Sequence, residues 1–187
     1  MVDGALYTAI NGLAGHVDSL DDFFAFISSW GQYLMLVPLV IIWFWPGRPR
    51  ARRQWGVITA VLAVLLALGT NQLISHLWAR PRPFTAHAHV LLLAASTDPS
   101  FPSDHAAGAF AIAVALLLVW RRAGWLAIAF AALLGFSRVY TGEHYVSDVL
   151  AGVVIGTLAA LLAFNARPIL TPLLEPPLRV ARKLHLA

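Results

Sequence analysis

Uncharged apolar residues run from Phe23 to Trp45, and again from Trp55 to Leu77, where His76 near the end is the only ionisable group. Three further apolar stretches follow. Ser103–Trp120 carries Asp104 and His105 at its start, Ala123–Ser137 is short, and His144–Ala166 holds Asp148 one turn in. A helix crosses the ~30 Å hydrocarbon layer with about 20 residues, so the pattern predicts five transmembrane helices. The apolar-polar alternation of a membrane β-barrel is missing, and only helices or closed barrels satisfy their backbone groups in lipid. Trp78–Pro102 is polar and proline-bearing and predicts a loop. Near the N-terminus, Leu6, Ile10, Leu13 and Val17 recur at helical spacing. They predict one amphipathic helix over Leu6–Leu20, lying on the outer membrane surface. The tail holds Pro168, Pro172, Pro176 and Pro177 before the basic end "LRVARKLHLA". That end either rests on the anionic inner leaflet or frays into solvent.

Composition agrees with a membrane solvent. Of 187 residues, 59% are hydrophobic and 12% charged, against roughly 45–50% and about 25% in a soluble domain. The fold class is therefore an all-α integral membrane protein, with residues 1–187 as one membrane-embedded domain and no room for a second. The absence of cysteine excludes disulfides, thiolate catalysis and cysteine-bound metals. Ten of the thirteen Lys and Arg residues lie in Gly47–Gln54, the Arg121–Arg122 turn and the segment after Ala166. The positive-inside rule places those segments in the cytoplasm, the N-terminus outside and the C-terminus inside. The basic pI reflects these loops and gives no reason to expect nucleic acid. No Lys or Arg precedes Arg48, so the positive n-region of a cleavable signal peptide is not expected.

This orientation leaves three polar clusters outside: "RPRPF" at Arg80–Phe84, "FPSDHAAG" at Phe101–Gly108 and "SRVYTGEHYVSD" at Ser137–Asp148. Ionisable groups at membrane depth are costly and mark function by default. His144 and Asp148 are four apart and share a helix face. A carboxylate there can orient one imidazole nitrogen and leave the other free as a nucleophile; the plainer alternative is a paired core histidine. Arg82 and Arg138 carry guanidinium forks that match phosphate oxygens. Snorkelling to headgroups fits Arg80 better than either of them. Ser103 reads as the N-cap of a helix whose first amides form an anion site, and His105 beside it as a second acid or base. His87 and His89 form an H-x-H in a loop with no third ligand motif and read as surface residues, so no metal is expected.

Together these clusters resemble the type 2 phosphatidic acid phosphatase superfamily. "PSDH" and "SRVYTGEHYVSD" are similar to its PSGH and SR-x5-H-x3-D motifs, and "RPRPF" stands where its lysine-containing first motif ends. Ser75 stands where that motif has lysine, and Asp104 replaces the glycine of the second. With its wording around "RPRPF" and "FPSDHAAGAFAIA", the chain looks most like the bacitracin-resistance-type undecaprenyl-diphosphatases. The resemblance implies that His144 attacks phosphorus to form a phosphohistidine, that Asp148 fixes its tautomer, and that His105 protonates the leaving oxygen. Arg82, Ser103, Arg138 and the amides near Asp104 and His105 would hold the phosphate oxygens. His76, Arg80 or the Asn71 amide could replace the missing lysine, and Ser137 opens the third motif. No metal or cofactor is implied, since the arginines supply positive charge. The implied partners are a polyprenyl diphosphate lipid and the bilayer, in a bacterial cytoplasmic (inner) membrane, with the site facing outward. Other lipid phosphatase substrates, or a lipid transporter, are the competing readings. Glu143 reads as a helix cap. Oligomeric state stays open: Ala109, Gly152 and Gly156 could pack helices within or between chains.

Overall fold

The computed structural model describes residues 2–46, 50–86 and 90–183, so His87 and His89 lie outside the described residues. The chain order is α1 (Val2–Asn11), α2 (Asp18–Phe44), α3 (Arg50–Leu77), a 3-10 turn at Pro83–Thr85, α4 (Asp104–Val119), α5 (Arg121–Tyr140), α6 (Val146–Asn165) and α7 (Arg167–Lys183). Among the described residues there is no strand.

Among the described residues, four helices, α2, α3, α5 and α6, are long and apolar enough to cross a membrane. The remaining predicted span, Ser103–Trp120, corresponds to α4, which is apolar but only 16 residues long, about 24 Å at 1.5 Å per residue. It is the central helix. Ala106, Ala107, Ala109, Ala111, Ala113 and Ala115 are all buried, with α3, α5 and α6 packed around them. In lipid, helices associate through close packing of small residues, and α6 supplies the facing glycines. A Cβ on Gly156 would lie 2.3 Å from the Ala107 carbonyl oxygen, and one on Gly152 would lie 2.7 Å from that of Ser103. The small residues Ala109, Gly152 and Gly156 thus pack helices within the chain.

The N-terminal end differs from expectation, and the tail adds a helix. The single helix predicted over Leu6–Leu20 is divided: α1 stops at Asn11, a turn follows, and α2 begins at Asp18. Gly12 and Gly15 break the helix, and the Asp21 carboxylate accepts the Gly15 N–H at 2.9 Å. Of the predicted apolar stripe, Leu6, Leu13 and Val17 are exposed and Ile10 is partly buried against Tyr7 and its neighbours, while Tyr7, Asn11 and Ala14 are buried against the rest of the chain. Asn11 donates to the Val90 carbonyl (2.8 Å) and the Tyr140 carbonyl (2.9 Å) and accepts the Val90 N–H (2.9 Å). The proline-bearing tail folds as α7 despite three internal prolines. Pro168 sits in its first turn, where a missing N–H goes unnoticed. Further along, Arg182 donates to Gln54 and Glu175, and Arg167 stacks over the Trp55 ring at 5.3 Å.

Candidate active site

His144 lies in the turn between α5 and α6 and is almost completely buried. The turn depends on Gly142, whose φ of 89° lets the chain reverse. The Glu143 and His144 amides then both donate to the Arg138 carbonyl, at 3.0 and 3.2 Å. The His144 ring nitrogen Nδ1 is 2.8 Å from the carbonyl oxygen of Ser100. A carbonyl can only accept, so Nδ1 carries the proton, and in the neutral imidazole Nε2 keeps the lone pair.

The orienting role expected of Asp148 is therefore exerted at one remove. Its Oδ2 lies 3.7 Å from His144 Nδ1, beyond hydrogen-bond reach. Instead Oδ2 accepts the Ser100 hydroxyl and the Tyr145 N–H, while Oδ1 accepts Arg80 Nη1 at 2.6 Å. Asp148 holds the Ser100 hydroxyl, and the Ser100 carbonyl holds the imidazole. It also caps α6, because Tyr145 is the N-cap and Asp148 the third helical residue.

Two guanidiniums face the same space. Arg138, in the last turn of α5, donates through Nη1 to Ser28 Oγ at 2.8 Å and to the Ser28 carbonyl at 3.3 Å. Arg82, in the loop after α3, donates through Nε to the Asp98 carbonyl at 2.9 Å and through Nη1 to the Glu143 carbonyl at 3.1 Å. One carboxylate oxygen joins them: Glu143 Oε2 accepts Nη1 of Arg82 and, at 3.2 Å, Nη2 of Arg138. Glu143 is 2% exposed, so it is a buried counter-ion shared by two arginines and not a helix cap. Arg82, Arg138, His105, His144, Asp104 and His76 all line one cavity of about 480 Å³.

The PAP2 superfamily model matches residues 56–171, from α3 into α7. The chain belongs to the PAP2 superfamily. This PAP2 chain is similar to the undecaprenyl-diphosphatase BcrC of Bacillus subtilis, with 35% identity over 175 residues, covering 94% of this chain and 89% of that protein. Its fold is similar to the crystal structure of LpxE from Aquifex aeolicus, with TM-score 0.76 and 25% identity over 88% of this chain and 96% of that one. A second likeness is to the PAP2-type phosphatidylglycerolphosphate phosphatase from Bacillus subtilis, at TM-score 0.68 and 25% identity, covering 88% of this chain and 83% of that one.

Not every residue singled out in the sequence of this PAP2 chain faces the cavity. Ser103 is fully buried and caps α4, its hydroxyl accepting the Ala106 N–H at 3.5 Å. Ser137 donates its hydroxyl to Leu134 within α5. Neither residue is among those that line the cavity. Arg80 turns to Asp148 and Asp3, with its guanidinium 4.0 Å above the Tyr145 ring. Asp104 does line the cavity, and its carboxylate accepts the amides of Asn71 (2.8 Å) and Gln72 (3.4 Å) from α3. The Asn71 amide is thereby engaged, while Ser75, at the position of the missing lysine, lines the cavity with His76 beside it. His76 Nδ1 lies 2.7 Å from the Gln72 carbonyl one turn back. Sequence reasoning missed Ser28, Gln72 and Ser100. Ser28 had a signal, as a hydroxyl in an otherwise uncharged apolar run; the carbonyl of Ser100 had none.

Proposed function

We propose that the chain hydrolyses undecaprenyl diphosphate to undecaprenyl phosphate and inorganic phosphate, on the extracytoplasmic face of a bacterial cytoplasmic membrane, through a phosphohistidine. One observation carries the reading: His144, His105, Arg82 and Arg138, from three distant segments, line one cavity. Nε2 of His144 attacks the terminal phosphorus in line, and the bond to the bridging oxygen breaks. His105 gives its proton to that oxygen as the lipid monophosphate leaves. A water then attacks the phosphohistidine, His105 takes its proton, and the P–N bond breaks to release phosphate and restore His144. Arg82 and Arg138 neutralise the equatorial oxygens throughout. Phosphoryl transfer is largely positioning and charge stabilisation, and guanidiniums already held by Ser28, Asp98 and Glu143 need little reorganisation when charge develops. The outward orientation is supported by ten of thirteen cationic side chains lying in the opposite loops and tail. The likeness to the undecaprenyl-diphosphatase over 94% of the chain supports the lipid chosen.

The test is phosphate release by purified protein in detergent with EDTA present. The panel is undecaprenyl diphosphate, phosphatidylglycerophosphate, diacylglycerol diphosphate and phosphatidic acid. The expected result is the highest kcat/KM on undecaprenyl diphosphate. No release from any of the four lipids would overturn the proposal. The structural likeness to a phosphatidylglycerolphosphate phosphatase favours a second reading, which a preference for that lipid would establish instead.

A further inference from the structure

We infer that Asp3, on the N-terminal helix, is a positioning residue for the hydrolysis, acting through Arg80 and Asp148 on His144. The inference rests on the function proposed above. Helix α1 lies outside the residues matched to the family model, which begin at Gly56, yet it is joined to the catalytic turn by a continuous set of bonds. Asp3 Oδ2 accepts Arg80 Nη2 at 2.6 Å and the Ser147 hydroxyl, and Oδ1 accepts the Ser147 N–H at 3.0 Å. Arg80 Nη1 in turn reaches Asp148 Oδ1 at 2.6 Å and Ser147 Oγ at 2.7 Å. From Asp148 the set continues through the Ser100 hydroxyl to the Ser100 carbonyl, where His144 Nδ1 is held.

Both terminal nitrogens of Arg80 are thus fixed by carboxylates, with the face of Tyr145 against the guanidinium plane. A planar fork bound at both ends has one orientation. Without the Asp3 charge, Arg80 is held only from the Asp148 side and regains rotational freedom. Asp148 then loses its fixed donor, and Ser100 and the imidazole lose register. In-line attack tolerates little of this, since misplacement of a reacting group by about 1 Å can lower rate about 10²-fold. Asp3 and Arg80 are partly exposed, with side-chain exposures of 27% and 23%. Water moderates the interaction, and a smaller effect follows. The Asp3 carboxyl sits below its ordinary value: burial raises it, but the bonds from Ser147 and Arg80 outweigh burial.

The experiment uses the full chain with Asp3→Asn, Asp3→Glu, Arg80→Ala and the double variant Asp3→Asn/Arg80→Ala. Exposed Asp22→Asn is the control. Asp3→Asn should lower kcat about tenfold, with KM within about twofold and an unchanged melting midpoint. Asp3→Glu should recover most of the loss. In the Arg80→Ala background, Asp3→Asn should cost less than about twofold, because the path is already cut. In protein labelled with 15N-histidine, the His144 Nδ1–H resonance should shift or broaden in Asp3→Asn and stay in place in Asp22→Asn. Wild-type kcat in Asp3→Asn, or an equal loss with and without Arg80, would overturn the inference. Absence of lipid hydrolysis by the wild type would count against the proposed function alone, because the imidazole resonance still reports the linkage.

Discussion

Glu143→Gln removes one negative charge from between two buried guanidiniums and changes little else in shape. Both arginines keep other anchors: Arg82 holds the carbonyls of Asp98 and Glu143, and Arg138 holds Ser28. The glutamine oxygen can still accept from both. The cluster of Arg82, Arg138 and Glu143 changes from a net charge of +1 to +2. For an anion about 5 Å from the lost charge, at an effective dielectric constant of about 20, the change in Coulomb energy is about 3 kcal/mol. The open cavity and salt reduce it, so a tightening of about 10- to 100-fold is expected for inorganic phosphate or vanadate. The assay is competitive inhibition of lipid diphosphate hydrolysis by inorganic phosphate at fixed ionic strength. The inhibition constant should fall at least about tenfold. The kcat should fall too, because the product phosphate leaves a more positive site more slowly. Unchanged or weaker phosphate inhibition in a folded Glu143→Gln protein would refute the view that this carboxylate offsets the arginine charge.

His105→Gln removes the proposed proton donor and should lower hydrolysis of the lipid diphosphate by about 10²–10⁴. A substrate whose leaving group needs no proton, such as p-nitrophenyl phosphate, should still form the phosphohistidine, which then accumulates because its attacking water lacks a base. An equal loss of the first step on both substrates would argue against His105 as the acid. Gly156→Val pushes a side chain into backbone, since even a Cβ would meet the Ala107 carbonyl oxygen at 2.3 Å and the Ala111 nitrogen at 2.9 Å. Overpacking of this kind costs about 1–3 kcal/mol or more, and the thermal midpoint in detergent should drop by several degrees; an unchanged midpoint would contradict the packing of α4 on α6.

The charged part of the site was legible because lipid makes it so. Arg82, His105, Arg138 and His144 stand in or beside apolar runs where an ionisable group has no other reason to be, and all four line the cavity. The paths between them were much less visible. The spacing of His144 and Asp148 suggested a direct bond, but a shared helix face does not fix a distance, and the imidazole takes the backbone carbonyl of Ser100 instead. Glu143 resembles a cap in sequence, and only the fold shows two arginines arriving at it, one from the loop after α3 and one from the last turn of α5.

The long helices were readable from hydropathy. The docking of α1 was hidden because the buried side chains are not its apolar stripe. In water an apolar stripe points to the core. Here Leu6 on α1 and Leu13 and Val17 in the turn after it are exposed, and α1 buries Tyr7 and Asn11 instead. For α7, a regular helix was not among the readings of the proline-bearing tail. Contacts of Arg167 and Arg182 with Trp55 and Gln54 of α3 accompany the helix that forms there.

The central claim is that Nε2 of His144 becomes bonded to phosphorus during turnover. It is tested most directly by mixing purified protein with undecaprenyl diphosphate labelled at the terminal phosphate, quenching in alkali within one turnover and locating the label by peptide mass spectrometry. The account predicts acid-labile, alkali-stable phosphate on the peptide carrying His144, formed and lost at rates compatible with kcat and absent from His144→Asn. Turnover at the wild-type rate by His144→Asn would contradict it.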